Sequence, residues 1–276
     1  MKSIAELKKI ACEVRKSILT GTHAAKSGHP GGSLSSADVL TYLYFEVMNA
    51  GPDRADDPDR DRFVLSKGHA APALYGVLAA RGYFPAEEIE TLRRIGSRLQ
   101  GHPSMQLTPG VDMSTGSLGQ GISTAVGMAL AARLQGKDYH VYTLLGDGEL
   151  EEGQVWEAAM FAGHRRLDNL TVIVDNNNLQ IDGTLDEVCS PYPIGKKFEA
   201  FNFHVIEVAD GNDMEQIAAA FAAAKEVSGK PVAIILKTVK GKGVSFMENA
   251  VDWHGKGPND EQYAAAMAEL ERAGEM

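Results

Sequence analysis

Gly146-Asp147-Gly148 sets one carboxylate between two glycines, directly after the apolar run His140 to Leu145. Thirty positions on, a second apolar run ends in Val174-Asp175-Asn176-Asn177-Asn178. A carboxylate, an amide oxygen from one of these asparagines and a backbone carbonyl make an oxygen set suited to Mg²⁺ or Ca²⁺. That set carries a single negative charge, so a divalent ion there stays uncompensated unless its ligand is anionic. Mg²⁺ is commonly held by one or two carboxylates plus phosphate oxygens, and a diphosphate fits that need. Either half alone reads as an ordinary turn or helix cap. The pair, at the ends of consecutive apolar runs, points to metal and phosphate.

Glycine reinforces this reading. It supplies 29 of 276 residues, against a usual ~7%, and it is clustered. The clusters are Lys26-Ser27-Gly28-His29-Pro30-Gly31-Gly32, Ser66-Lys67-Gly68-His69-Ala70, Gly116-Ser117-Leu118-Gly119-Gln120-Gly121, Gly146-Asp147-Gly148 and Lys240-Gly241-Lys242-Gly243. Glycine lets backbone N–H groups approach an anion closely. One such loop is an ordinary connection; several, two of them bearing a histidine, favour a polyanionic ligand. His140 and His204 begin apparent strands and His164 closes a helix, so these three read as structural, and His23 is left unassigned.

The elements that must position these loops follow from periodicity. Ser3 and Glu6 form a capping-box pattern, and Ile4, Leu7, Ile10, Ala11, Val14 and Ile18 recur at helical spacing until Gly21. A second helix is predicted over 35–47, a short strand over 62–66, and helices after Ala70 and after Pro85. In the second half, strands at 140–145, 170–174, 204–208 and 231–236 alternate with helices at 150–162 and 213–227, and a closing helix spans 262–272. Near-continuous Val/Ile/Leu runs between helices predict an α/β fold, a parallel sheet with helices on both faces. Ligands of such sheets bind beyond the carboxyl ends of the strands, where the loops above fall.

Composition narrows the function class. Lys plus Arg number 27 and Asp plus Glu 37, a formal net charge of −10. That balance argues against nucleic acid and anionic membrane as partners. The amino terminus lacks an apolar signal core, no apolar stretch approaches a membrane span, and two cysteines in unrelated contexts make no disulfide framework. A cytoplasmic location is the expectation.

The aspartate–asparagine pair resembles the thiamine diphosphate motif, and the surrounding sequence resembles transketolase. Ser27-Gly28-His29-Pro30-Gly31, Ser66-Lys67-Gly68-His69-Ala70, Gly101-His102-Pro103, Thr115-Gly116-Ser117-Leu118-Gly119-Gln120-Gly121 and the stretch Gly146 to Gly153 follow that family's order and spacing. The resemblance covers essentially the whole chain, 1–276, as the amino-terminal, diphosphate-binding domain. It implies thiamine diphosphate with Mg²⁺, or Ca²⁺ or Mn²⁺ in its place, held by Asp147, the side chain of Asn177 and the carbonyl of Leu179. It further implies that Gly148 presents an N–H to the diphosphate, that Gly116 and Ser117 lie alongside the cofactor, and that Leu118 and Ile181 pack on its rings. His69 is expected near the diphosphate, with His29, His102 and His254 facing the sugar, where histidine moves protons near neutral pH. Glu152 and Glu157 resemble the carboxylates that connect two cofactors across a subunit interface.

The same resemblance implies what must come from elsewhere. The pyrimidine-binding domain, with its activating glutamate and the arginines for a substrate phosphate, is expected on a partner chain, giving an α₂β₂ assembly. The implied reaction moves a two-carbon unit from a ketose, by default a sugar phosphate, to an aldose. Sulfonated or branched sugars are alternatives. A non-catalytic, thiamine diphosphate-binding half is another, although it leaves the histidines no sugar to handle. A Mg²⁺-dependent phosphohydrolase is a third, and one carboxylate is a thin metal site for that chemistry.

Overall fold

Five strands form one parallel sheet in the computed structural model, which describes residues 1–275. In chain order the elements are α1 (Ile4–Ala24), α2 (Pro30–Leu34), α3 (Ala37–Tyr42), β1 (Arg62–Leu65), α4 (Ala71–Ala80), α5 (Gln120–Leu134), β2 (Val141–Gly146), α6 (Gly153–Arg165) and β3 (Leu170–Asn176). A small hairpin of β4 (Leu179–Gln180) and β5 (Gly183–Thr184) follows, then α7 (Leu185–Val188), α8 (Ile194–Ala200), β6 (His204–Val208), α9 (Met214–Lys225), β7 (Val232–Lys237) and α10 (Asp260–Glu275).

The sheet order is β1-β2-β3-β7-β6. The chain steps through β1, β2 and β3, passes to the far edge as β6, and returns as β7 to pair with β3. The apolar strand runs are divided between the two faces. Val64, Val141, Leu145, Val172, Val174 and Ala233 join Ile122 of α5, Val155 of α6 and Phe198 of α8 in one core. Leu65, Leu144, Ile173, Ile234 and Leu236 join Ile18 of α1, Leu40 of α3, Leu74 of α4 and Phe221 of α9 in the other. Continuous apolar sequence is what burial on both faces demands, and the predicted fold class holds. Register sets Gly146 opposite Asp175, and Asp175 opposite Leu236. The loops after β1, β2, β3 and β7 therefore leave the same edge of the sheet side by side.

Several boundaries differ from the sequence reading. Helix α1 does not stop at Gly21 but runs to Ala24; a Cβ there would lie 3.3 Å from Ile89 and Leu92, so the glycine admits a neighbour rather than ending the helix. The helix predicted over 35–47 begins at Ala37 and ends in a π-helical turn, Leu43–Val47. The segment after Pro85 is a 3₁₀ stretch, Ala86–Thr91. The helix predicted from Leu150 splits into a 3₁₀ turn, Gly148–Glu151, and α6. Helix α5 is absent from the sequence expectation: it opens at Gln120, inside the glycine cluster Gly116–Gly121. Among the described residues no helix is long and apolar enough to cross a membrane.

Candidate active site at the carboxyl edge of the sheet

Four strand-end loops converge on one cavity of about 320 Å³, with Lys67, His69, Asp147, Asn177, Leu179, Lys240 and His254 in its wall. The approach is close enough to require glycine. A Cβ on Gly68 would lie 2.6 Å from the Gly116 nitrogen. Gly241, after β7, has φ +81°, and a Cβ there would lie 2.2 Å from the Met247 carbonyl oxygen. These glycines seat one loop on the next.

Asp147 follows β2 and is buried. Its Oδ1 accepts from the Gly148 N–H (2.9 Å) and its Oδ2 from the Asn178 N–H. Burial foremost, with Asp175 nearby, pushes its carboxyl up to about 7 against those two donors. An added positive charge would reverse that pressure. Asn177, after β3, shares the cavity. Its Oδ1 accepts from the Leu179 N–H (3.2 Å), and its Nδ2 donates to Asp175 Oδ2 (3.1 Å). Among the described residues no group of three or more His, Cys, Asp or Glu could hold a metal. A cation at Asp147 and Asn177 must therefore complete its shell with amide and carbonyl oxygens and with a ligand of its own.

Two buried acids that the sequence reading passed over hold the loops in place. Asp175 is 0% exposed. It accepts from Lys67 Nζ, Ser35 Oγ (2.7 Å), Thr238 Oγ1 and Asn177 Nδ2. Burial alone would raise its carboxyl, but the Lys67 ammonium and these donors outweigh it and hold it low. Lys67 in turn donates to the Gly32 carbonyl (2.9 Å) and Ser36 Oγ (3.1 Å). Glu149 accepts from Ser66 Oγ, the Gly119 N–H (2.9 Å) and the Gly146 N–H (3.1 Å). It joins the end of β1, the start of α5 and the end of β2, and burial raises its carboxyl. Lys67 and Asp175 stand inside motifs read for other residues; the available signal was a lysine and an aspartate at neighbouring strand ends.

The four predicted histidines do come together. Ring centroids of His29 lie 5.3 Å from His69, 6.4 Å from His102 and 5.5 Å from His254, and His69 lies 5.2 Å from His254. His29 Nδ1 is buried without a hydrogen-bond partner. Burial, then Arg93, pushes His29 down to about 4; burial, then Lys240, pushes His254 down to about 3. His69 and His102 are lowered too, mainly by burial. The cluster is neutral near pH 7 and can accept hydrogen bonds from hydroxyls. Lys240 joins it to the cation residues: Nζ donates to the Leu179 carbonyl (3.0 Å) and to His254 Nδ1 (2.9 Å). Burial, then Lys67, brings that ammonium down to about 8. Nothing in the composition of Lys240-Gly241-Lys242-Gly243 marks its first lysine for this place.

The remaining predicted residues are spread more widely. Gly148, Leu118 and Ile181 line the cavity, Ile181 being 61% exposed at its lip. Glu152 is an exposed part of the same wall. Gly116 and Ser117 instead face an adjoining cleft of about 720 Å³ along α5. Glu157 is exposed on α6, outside the cavity wall. The other histidines keep away. His140 Nε2 meets Thr171 Oγ1 at 2.9 Å, and His23 stacks on Tyr263 (4.2 Å) and meets Asp260 (2.8 Å), linking α1 to α10. His204 begins β6 and His164 lies in the last turn of α6, as read.

Comparison with known proteins agrees with this arrangement. Residues 8–271 match the family model "Transketolase, thiamine diphosphate binding domain". The 6-deoxy-6-sulfo-D-fructose transketolase subunit of Clostridium sp. (strain MSTE9) is 49% identical, over 95% of this chain and 94% of that protein. An apulose-4-phosphate transketolase subunit of Phocaeicola vulgatus is 45% identical, over 93% of this chain and 90% of that protein. The crystal structure of transketolase from Campylobacter jejuni superposes with a TM-score of 0.91 at 34% identity, covering 98% of this chain and 43% of that one. With its strand-end cavity, its aspartate–asparagine pair and these matches, the chain belongs to the transketolase thiamine diphosphate-binding domain family.

Proposed function

We propose that this chain is the amino-terminal subunit of a two-chain transketolase, which transfers a two-carbon ketol unit from a ketose to an aldose. The observation that carries the reading is the shared cavity: Asp147 and Asn177 line it together with His69 and His254, His29 stands beside those two, and His102 lies next to His29. Relatives named as transketolase subunits match this chain along 90% or more of their own length, which supports a second chain as bearer of the pyrimidine-binding domain.

The residues present fit thiamine diphosphate and a divalent cation, Mg²⁺ foremost. Asp147 supplies a carboxylate and Asn177 an amide oxygen, and Leu179 offers a carbonyl. A Cβ on Gly148 would lie 2.9 Å from Gln180 Cβ, so this turn requires glycine; its N–H, held by Asp147 Oδ1 in this structure, is proposed to pass to the diphosphate. His69 and Lys240 stand beside that place. When bound, thiamine diphosphate supplies the nucleophile and electron sink for cleaving a C–C bond next to a carbonyl. The chain's own residues bind and orient. Asp147 and Asn177 fix the cation, Lys240 adds positive charge, and neutral His29, His102 and His254 accept hydrogen bonds from the sugar hydroxyls whose protons must move. Glu152 and Glu157 are proposed to meet a second copy of the chain in an α₂β₂ assembly. Phosphorylated ketoses are the proposed donors, and a sulfonated ketose is the second reading because the 49% identical relative carries that name. We place the protein in the cytoplasm, in keeping with free Cys12 and Cys189.

Calorimetry with thiamine diphosphate and Mg²⁺ tests the site. Asp147→Ala is expected to abolish metal-assisted binding with the fold intact, and an unchanged affinity would refute the assignment. Two-carbon transfer is expected only after the partner chain is added. This readout also separates the enzyme from a binding half and from a phosphohydrolase.

A further inference from the structure

Asn177 offers an amide whose two ends are nearly the same shape and opposite in chemistry: the oxygen can face a cation and the NH₂ cannot. Something must choose between them. In this structure Nδ2 donates to Asp175 Oδ2 at 3.1 Å, which leaves Oδ1 to accept from the Leu179 N–H at 3.2 Å with a lone pair to spare. The reversed amide would press its oxygen against a fully buried carboxylate oxygen. Asp175 cannot turn away, because Lys67, Ser35 and Thr238 hold its two oxygens. Lys67 is itself tied to Gly32 and Ser36. The chooser is thus fixed from the ends of β1 and β7 and from α2 and the turn that follows it.

We infer that Asp175 is the positioning residue of the cation site, holding Asn177 so that its oxygen and not its nitrogen faces the cavity. The inference rests on the cation reading proposed above. It also accounts for asparagine at 177, where an aspartate would be the harder ligand. A carboxylate there would stand against the fully buried Asp175, and like charges so placed repel strongly. Outer partners of metal ligands typically alter metal affinity by about 10–100-fold when removed.

The test isolates one acceptor. Deleting Asp175 alone would strand the buried Lys67 ammonium, so both arms replace Lys67 by Met. Lys67→Met with Asp175→Asn keeps an oxygen for Asn177 Nδ2; Lys67→Met with Asp175→Leu removes it at similar volume. Mn²⁺ binding to the full chain, with thiamine diphosphate present, is read by electron paramagnetic resonance, and thermal melts verify the fold of each variant. The leucine arm is expected to bind Mn²⁺ about tenfold or more weakly than the asparagine arm. Equal affinity in the two arms, with Mn²⁺ bound by the unaltered chain, overturns the role of Asp175 alone. No Mn²⁺ binding by the unaltered chain overturns the cation site and this role with it. Should the leucine variant not fold, Asn177→Asp in the unaltered chain decides: affinity is expected to fall despite the added negative charge, and a rise overturns the inference.

Discussion

At the scale of single residues, burial decides the charge state of most groups that matter. His29 and His140 are held at about 4 and His254 at about 3, against an ordinary 6.5, with burial the largest cause in each. As pH falls through 6.5 the unfolded chain takes up protons that the folded chain refuses. The contribution of these histidines to stability is therefore expected to be flat above about pH 7 and to fall from 6.5 toward 4, while Asp147, raised to about 7, works in the opposite sense over that range and Lys240, lowered to about 8, adds stability as pH rises above it. His140 lies outside the cavity, with Nε2 on Thr171. His140→Gln is expected to make that fall shallower, by about 1.4 kcal/mol per pH unit for one proton fewer. Urea midpoints at several pH values check this, and an unchanged slope would mean that His140 is already protonated in the fold. Lys240 carries a different expectation. Its ammonium now occupies the Leu179 carbonyl proposed for the cation. Lys240→Met is expected to tighten binding of Mg²⁺ alone and to weaken thiamine diphosphate about tenfold, the scale of a lost charged hydrogen bond. Calorimetry of each ligand separately distinguishes the two; movement of both in one direction would sink the idea.

At the scale of elements, glycine sets how closely the loops pack. Gly68→Ala would drive a methyl group to 2.6 Å from the Gly116 nitrogen. Backbone cannot yield there without separating the loop after β1 from the start of α5. A loss of about 1–3 kcal/mol in urea denaturation is expected, as for other overpacked sites, and a neutral result would show the two loops to be mobile. The same closeness explains what the sequence made legible. Strands β2, β3 and β7 are apolar at most buried positions, Thr143, Thr171 and Asp175 excepted, so their apolar runs exposed them and the order of their loops. Asp147, Asn177 and the four histidines sit in glycine-rich turns whose composition marks them. Asp175 and Lys67 escaped because each looks like ordinary punctuation at a strand end; only the register of Leu65 against Leu144, and of Gly146 against Asp175, brings the two strand ends together. Helix α5 escaped because its buried stripe of Ile122, Ala125, Val126 and Ala129 is not set off by a polar face: Met128, Leu130 and Leu134 lie outside it. Gly21 misled in the opposite sense, a helix-breaking residue kept for close packing inside a helix.

At the scale of the whole molecule, the cavity lies where α5 and α6 carry an uncovered face up to its rim. Met160 and Phe161 of α6 are 56% and 39% exposed. Along α5 the cleft beneath Gly116 and Ser117 is walled by Ser123, Thr124, Gly127 and Ala131. Gly127 is exposed in mid-helix, and a Cβ added there meets nothing within 4 Å. Glycine in that place costs the helix about 1 kcal/mol relative to alanine, and no contact within the chain repays it. A low surface for an approaching chain would. Gly127→Arg therefore separates folding from assembly. Its urea midpoint is expected to match or exceed that of the unaltered chain, since the helix gains a better residue. Association with the partner chain, followed by sedimentation velocity, is expected to weaken tenfold or more. Thiamine diphosphate affinity in the mixture should then drop to that of the single chain, because Gly116 and Ser117 head the same cleft. Full assembly by the arginine variant would place the interface elsewhere and leave the glycine without a reason.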